Sequence, residues 1–248
     1  MRHLKAILFI LCSTFALSAQ TTKPDVVKII QRVDNQLSSS TRKVHSIMVV
    51  HGKRNSRKME SISYTRGFSH SFSEYLSPAR EKGTKMLKLD KEMWIYSPST
   101  DRIIMISGHM MRQSVMGSDL SYEDMMEDRK LLDIYTPSFI REENVDGRTC
   151  LVIDLKAKVN DIAYPSRRLW VDTTYDLPLK QQMFAKSGEL LKQVVLSDIQ
   201  KRGKRFYPMK MNYKDMLKDG KGTDWIVKEI EFDIEIPTAV FTKASLKR

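Results

Sequence analysis

The sequence predicts a mainly β protein, a meandering antiparallel sheet of about eleven strands with a few short helices, and three observations carry that prediction. From Val44 onward apolar and polar residues alternate with period two almost to the end of the chain. Turn chemistry recurs at short intervals, at Asp146-Gly147, 172–176, Ser187-Gly188, Gly203 and 219–222. Helical spacing is confined to 24–37 and the stretch after Ser121. A sheet of that size tends to curl. With 248 residues, 41% hydrophobic and 29% charged, and with no internal repeat or composition break, residues 20–248 read as a single domain able to bury a core.

Residues 1–19 read as a secretory signal. Arg2 and Lys5 form the positive start, Ala6–Cys12 with Phe15–Leu17 the apolar middle, and cleavage is expected after Ser18 or Ala19. The apolar run is too short for a permanent membrane helix. Cys12 lacks the small residue that a lipoprotein signal places before its cysteine, so a soluble exported protein is expected. Loss of Arg2 and Lys5 lowers the formal charge from +12 to +10, still a basic balance that either favours anionic surfaces or keeps a sheet edge soluble. Cys150 is then the one cysteine left, so no internal disulfide can form.

Pro24 to Leu37 sets Val26, Ile29, Ile30, Val33 and Leu37 on one helical face, and Ser38-Ser39-Ser40-Thr41 stops it. Such a helix either packs on the core or covers a mouth of the sheet and moves. Strands follow at 44–53, 61–66 and 68–76. In the last two, Ile62, Tyr64, Phe68 and Phe72 oppose Ser61, Ser63, Thr65, Ser69, Ser71 and Ser73, the pattern of half-exposed strands. After Pro78 the run resumes at 84–90. A hairpin then pairs 92–96 with 102–107 around Ser-Pro-Ser-Thr at 97–100. Met93 and Ile95 point one way and Trp94 and Tyr96 the other, while Ile103 and Met105 oppose Ile104 and Ile106. Both faces are apolar, so both must be covered.

Gly108 and Gly117 with Ser118-Asp119 mark turns, and Ser121-Tyr122-Glu123-Asp124 starts a capped helix whose Met125, Met126 and Leu131 face inward. Further strands are expected near 133–141, 148–156, 167–172, 179–185, 190–199, 206–214 and 224–236. The last places Ile226, Ile230, Phe232, Ile234 and Ile236 on a core side, with Val227 and the acids on the other.

Catalytic patterns are absent from the sequence. His45, His51, His70 and His109 lack metal-ligand spacing, no Gly-x-Ser-x-Gly elbow or phosphate-cradling glycine loop occurs, and Glu123/Asp124 and Glu127/Asp128 read as solvated faces. No enzyme, cofactor or metal is expected. Methionine is more informative: eight of fifteen fall within 86–126, at 86, 93, 105, 110, 111, 116, 125 and 126. Flexible, polarisable side chains suit an irregular apolar surface, either a gap-filled core or a site for variable hydrocarbon.

The stretch WIYSPSTDRIIMISGHMMRQSVMGSDLSYEDMM, residues 94–126, closely resembles the signature of the outer-membrane lipoprotein-sorting family, the LolA-like periplasmic carriers. The resemblance implies an incomplete antiparallel β-barrel, a half-barrel whose concave face is covered by helices and holds acyl chains. It implies a periplasmic monomer that takes lipoprotein acyl chains or a related amphiphile from inner-membrane release machinery to an outer-membrane acceptor, without making or breaking a bond. Trp94, Tyr96, Ile104, Ile106, Met110, Met111, Met116 and Met126 are the candidate lipid-binding residues, beneath helices 24–37 and 121–132 that loading would displace. The alternative is a periplasmic lipid or lipoprotein sensor of the same fold. An exported hydrolase lacks its motifs, and a nucleic-acid binder is opposed by the export signal and by the lack of an aromatic-basic strand motif.

Overall fold

The structure is a computed structural model that describes residues 23–127 and 129–248. The signal at 1–19 and Asp128 lie outside them. Helix α1 (Val26–Leu37) starts where the Asp25 carboxylate accepts from the Lys28 amide at 3.1 Å. Six strands follow: β1 (Thr41–His51), β2 (Ser56–Arg66), β3 (His70–Ser77), β4 (Lys85–Leu89), β5 (Glu92–Ser97) and β6 (Arg102–Ile106). A crossing of short helical turns, with α2 (Tyr122–Met126) and α3 (Leu131–Ile134), leads to seven more. These are β7 (Tyr135–Val145), β8 (Arg148–Ala157), β9 (Ser166–Asp172), β10 (Leu177–Phe184), β11 (Leu190–Arg202), β12 (Arg205–Asp215) and β13 (Thr223–Phe232).

All thirteen strands form one antiparallel sheet in the order β6-β5-β4-β3-β2-β1-β13-β12-β11-β10-β9-β8-β7. The count exceeds the expected eleven or so, and it equals the number of strand segments named along the sequence, down to the five-residue β4 and β6. The chain starts at the middle of the sheet, meanders out to β6, crosses to the far edge at β7 and meanders back to β13 beside β1. The edges β6 and β7 do not pair, so the sheet stays open. A chain that must travel from one edge to the other lays its crossing over one face, called here the inner face.

Register decides which side chains share that face. Met48 pairs with Met59, Ser46 with Ser61 and Ser63 with Ser73; Ser73 pairs with Met86, Met86 with Ile95 and Ile95 with Ile104. The serine sides of β2 and β3 therefore face the interior. Ser46 and Ser61 are buried with their hydroxyls 3.3 Å apart, and the Ser63 hydroxyl donates to Ser73 at 3.0 Å. The half-exposed reading of these strands is corrected, because their apolar side is also covered. The tail after β13, with Ile236, Phe241 and Leu246, packs on Phe72, Leu87 and Trp94 of the outer face.

A bulge corrects the last strand as well. Ser46 pairs with Val227 and His45 with Glu229, so Lys228 is extra and the alternation reverses. Val227, not Ile226, joins Ile230 and Phe232 beside Val44 and Met209. The strand ends at Phe232, short of 236, where the outer-face tail begins.

Two covers lie on the inner face. Ile29, Ile30 and Val33 of α1 pack on Tyr135, Ile153, Leu155, Leu169 and Val171, and the buried Asp34 carboxylate accepts from the amides of Leu131 and Leu132 at 3.0 and 3.3 Å. That bond ties α1 to the free first turn of α3. Over β1–β6, Val115 and Tyr122 of the crossing pack with Met48, Met59, Met86, Met93 and Ile106.

Candidate functional site

Between these covers the inner face is not filled. A hollow of about 620 Å³ opens over β9–β12, within the size range of small-molecule sites. Its floor is Met183, Val194 and Tyr213, its roof Met111, Leu120, Met126 and Leu131, and Asp34 and Leu37 of α1 form a wall. Register places the floor residues together: Gln181 pairs with Val194, Val194 with Tyr213 and Met183 with Lys192.

The crossing is held over the hollow by polar contacts to the sheet. Asp119 accepts from the Thr223 hydroxyl at 2.7 Å and the Asp215 amide at 3.0 Å, which pins it to β12 and β13. At the preceding turn Met116 and Gly117 adopt positive φ, and Arg57 donates to the Met116 carbonyl at 3.0 Å. The φ of +69° at Gly117 is the backbone conformation that favours glycine at this turn.

Helix α2 is anchored more deeply. Ser121 and Asp124 form a capping box, with Ser121 donating its amide and hydroxyl to Asp124 at 2.7 and 2.8 Å. The same carboxylate pairs with Lys192 of β11 and accepts the Tyr164 hydroxyl at 2.6 Å. Burial pushes the Asp124 carboxyl up, but the Lys192 ammonium and these hydrogen bonds overcome it and hold the group below the usual carboxylate range. The solvated-face reading of Glu123/Asp124 is thus corrected for Asp124. Its partners lie far away in sequence, and a capping motif looks the same whether buried or exposed. Glu127 and Asp161 engage Arg129, and Tyr135 donates to the Tyr164 carbonyl at 2.8 Å.

The eight candidate residues divide. Ile106, Met110, Met111, Met116 and Met126 gather in the inner-face cluster, and Met111 and Met126 line the hollow. Ile104 shares that face but sits exposed on the edge strand. Trp94 and Tyr96 are corrected: Trp94 pairs with Met105 and Met93 with Ile106, so Trp94 shares a face with Met105 and turns away from Ile104 and Ile106. Trp94 is 5% exposed beneath the tail, with the Lys243 ammonium 4.0 Å from its ring centre. Sequence reasoning also missed Met183, Val194, Tyr164, Arg167 and Lys192. Strict alternation across β9 would have set Arg167 on the side of Leu169 and Val171, a charged residue on an apolar face.

Structural comparison establishes the fold. A structure described as an outer membrane lipoprotein-sorting protein domain from Vibrio parahaemolyticus is 19% identical, covers 90% of this chain and 98% of that one, and superposes with a TM-score of 0.78. A DUF1329 family protein from Desulfovibrio piger is 24% identical over 88% of this chain and 96% of that one, with a TM-score of 0.80. A LolA superfamily protein from Nitrosomonas europaea is 19% identical over 88% and 98%, with a TM-score of 0.72. The open antiparallel sheet with few helices is therefore the LolA-like half-barrel. No curated protein matches the sequence. A family model described as "Uncharacterized protein" matches residues 67–248, and the chain, LolA-like in fold, belongs to that family.

Proposed function

We propose that this protein is a periplasmic carrier that shelters the acyl chains of a lipoprotein or a related amphiphile in the inner-face hollow and passes them towards the outer membrane. The observation that carries the reading is the hollow itself, about 620 Å³, with Met183, Val194 and Tyr213 in its floor beside Arg167 and Lys192 and with the crossing as its roof. Moving one methylene from water to such a surface is worth about 0.8 kcal/mol, so a long acyl chain needs on the order of 10 kcal/mol of shelter. Methionines in the roof adapt to chains of different shape. Carriage requires only binding and release. Transfer then follows from a receptor that shelters the chains better, and the donor and acceptor are an inner-membrane release complex and an outer-membrane protein.

Two measurements test this. Lipid extraction of protein purified from the periplasm should recover acyl chains in near-stoichiometric amount. Delipidated protein should bind a fluorescent acyl probe at one saturable site, and Ala163→Trp, which places a ring in the hollow, should weaken that binding at least tenfold. Protein that neither retains lipid nor binds the probe would sink the carrier reading.

A further inference from the structure

Under α2 two cations, Lys192 and Arg167, stand against the ring of Tyr164. The Lys192 ammonium lies 5.9 Å and the Arg167 guanidinium 5.6 Å from the centre of the Tyr164 ring. The Tyr164 hydroxyl and Lys192 both meet the carboxylate of Asp124, delivered by the crossing rather than by the sheet. Their side chains are well sheltered, Lys192 with 8% exposed and Asp124 with 14%. Arg167 lines the hollow, and its Nε is buried with no hydrogen-bond partner among the described residues. A buried donor without an acceptor is uncommon in folded proteins. Of the neighbouring acids, Glu127 and Asp161 are engaged by Arg129 and Asp34 by the first turn of α3, while Glu123 and Asp90 also line the hollow. Arg42 of β1 repeats the pattern: its Nε is likewise buried without a partner, and its register with Thr65 sets it on the face of Met48.

We propose that the amphiphile entering the hollow carries an anionic oxygen headgroup, a carboxylate or a phosphate ester, and that this headgroup takes the place of Asp124 on Lys192, Tyr164 and Arg167. The inference rests on the carrier reading and adds to it the headgroup class and a route to opening. Asp124 acts as an internal stand-in that keeps Lys192 paired while the hollow is empty. The incoming anion makes the same charge-assisted hydrogen bonds and adds the Nε–H of Arg167, on a guanidinium that otherwise lies against the Tyr135 and Tyr164 rings and whose planar fork suits carboxylate and phosphate. Asp124 leaves as a carboxylate still bonded to Ser121, so α2 keeps its cap as it lifts from β11. Loading by an anionic amphiphile and opening of the roof are one exchange, which an uncharged headgroup drives more weakly.

The test uses delipidated full-length mature protein titrated calorimetrically with hexadecanoic acid, hexadecyl phosphate, monohexadecanoyl glycerol and inorganic phosphate. The two anionic amphiphiles should bind about tenfold more tightly than the neutral one, as charge-assisted bonds to the site require. Arg167→Gln should lower the ratio of anionic to neutral affinity at least threefold. Asp124→Asn, which removes the stand-in charge, should tighten the anionic ligands alone. Equal affinity of charged and neutral amphiphiles for the wild-type protein overturns the headgroup inference and leaves the carrier reading intact. Binding of no acyl ligand overturns both. Inorganic phosphate binding as tightly as hexadecyl phosphate would assign the site to a free anion and overturn the inference. The wild-type comparison decides the matter even if Arg167→Gln fails to fold.

Discussion

Lys192→Met removes the ammonium that faces Asp124 beneath α2 and keeps a stem of similar size. Both side chains are mostly shielded from water, so the stranded carboxylate is poorly hydrated. Removing one partner of a pair buried to this degree costs about 3 to 5 kcal/mol, and the hydrogen bonds left from Ser121 and Tyr164 keep the loss near the lower end, about 3 kcal/mol. In a chain of this size each kcal/mol moves the melting temperature by about 2–4 °C, so melting should fall by roughly 6–12 °C at neutral pH. Acidification sharpens the test. In the native protein the Asp124 carboxyl sits below its ordinary value, so its stabilisation is complete above about pH 4 and is lost as pH falls through the lowered folded value. In the variant the opposing charge is gone and burial prevails, which pushes the carboxyl up. Its protonation then relieves the variant, and the gap to wild type narrows between neutral pH and about pH 4. Urea titrations of both proteins across that range give the gap directly. A gap under about 1 kcal/mol at neutral pH, or one that does not change with pH, would refute the assignment of the α2 anchor to this pair.

Ile30, wholly buried where α1 meets β8 and β9, should lose about 2–5 kcal/mol as Ile30→Ala, measured by urea unfolding; a loss under about 1 kcal/mol would show that α1 is not packed there. Phe241→Ala should uncover Trp94 and red-shift tryptophan emission while leaving acyl-probe affinity unchanged, because both rings lie on the outer face; weakened binding would place the ligand under the tail. Cys150 is fully buried and burial pushes its thiol up to about 11, so Ellman's reagent at about pH 8 should label it only in denaturant, and rapid labelling of native protein would contradict that burial.

Fold class, strand positions and the extent of α1 were legible in the residues because each depends on local spacing: period two for strands, 3.6 for the helix, and glycine or aspartate at turns. The crossing was legible as well, through its glycines, its capping motif and its concentration of methionine. The two apolar faces of the β5–β6 hairpin correctly called for two covers. Which cover lies on which face was not readable, since alternation separates Trp94 from Met93 without saying which side is inside. The tail on Trp94, the bulge at Lys228 and the inward serines of β2 and β3 depend on register and on segments distant in sequence.

Local chemistry therefore determined that this chain makes a long antiparallel meander with an amphipathic helix and a methionine-rich crossing. The tertiary structure alone decided that the crossing and α1 lie on one face with a hollow between them, and that Asp124, Tyr164, Arg167 and Lys192 meet there. The physical reason is sequence separation. Asp124 and Lys192 stand 68 positions apart, and no periodic pattern encodes a contact made only once the sheet has brought its far strands beneath the crossing.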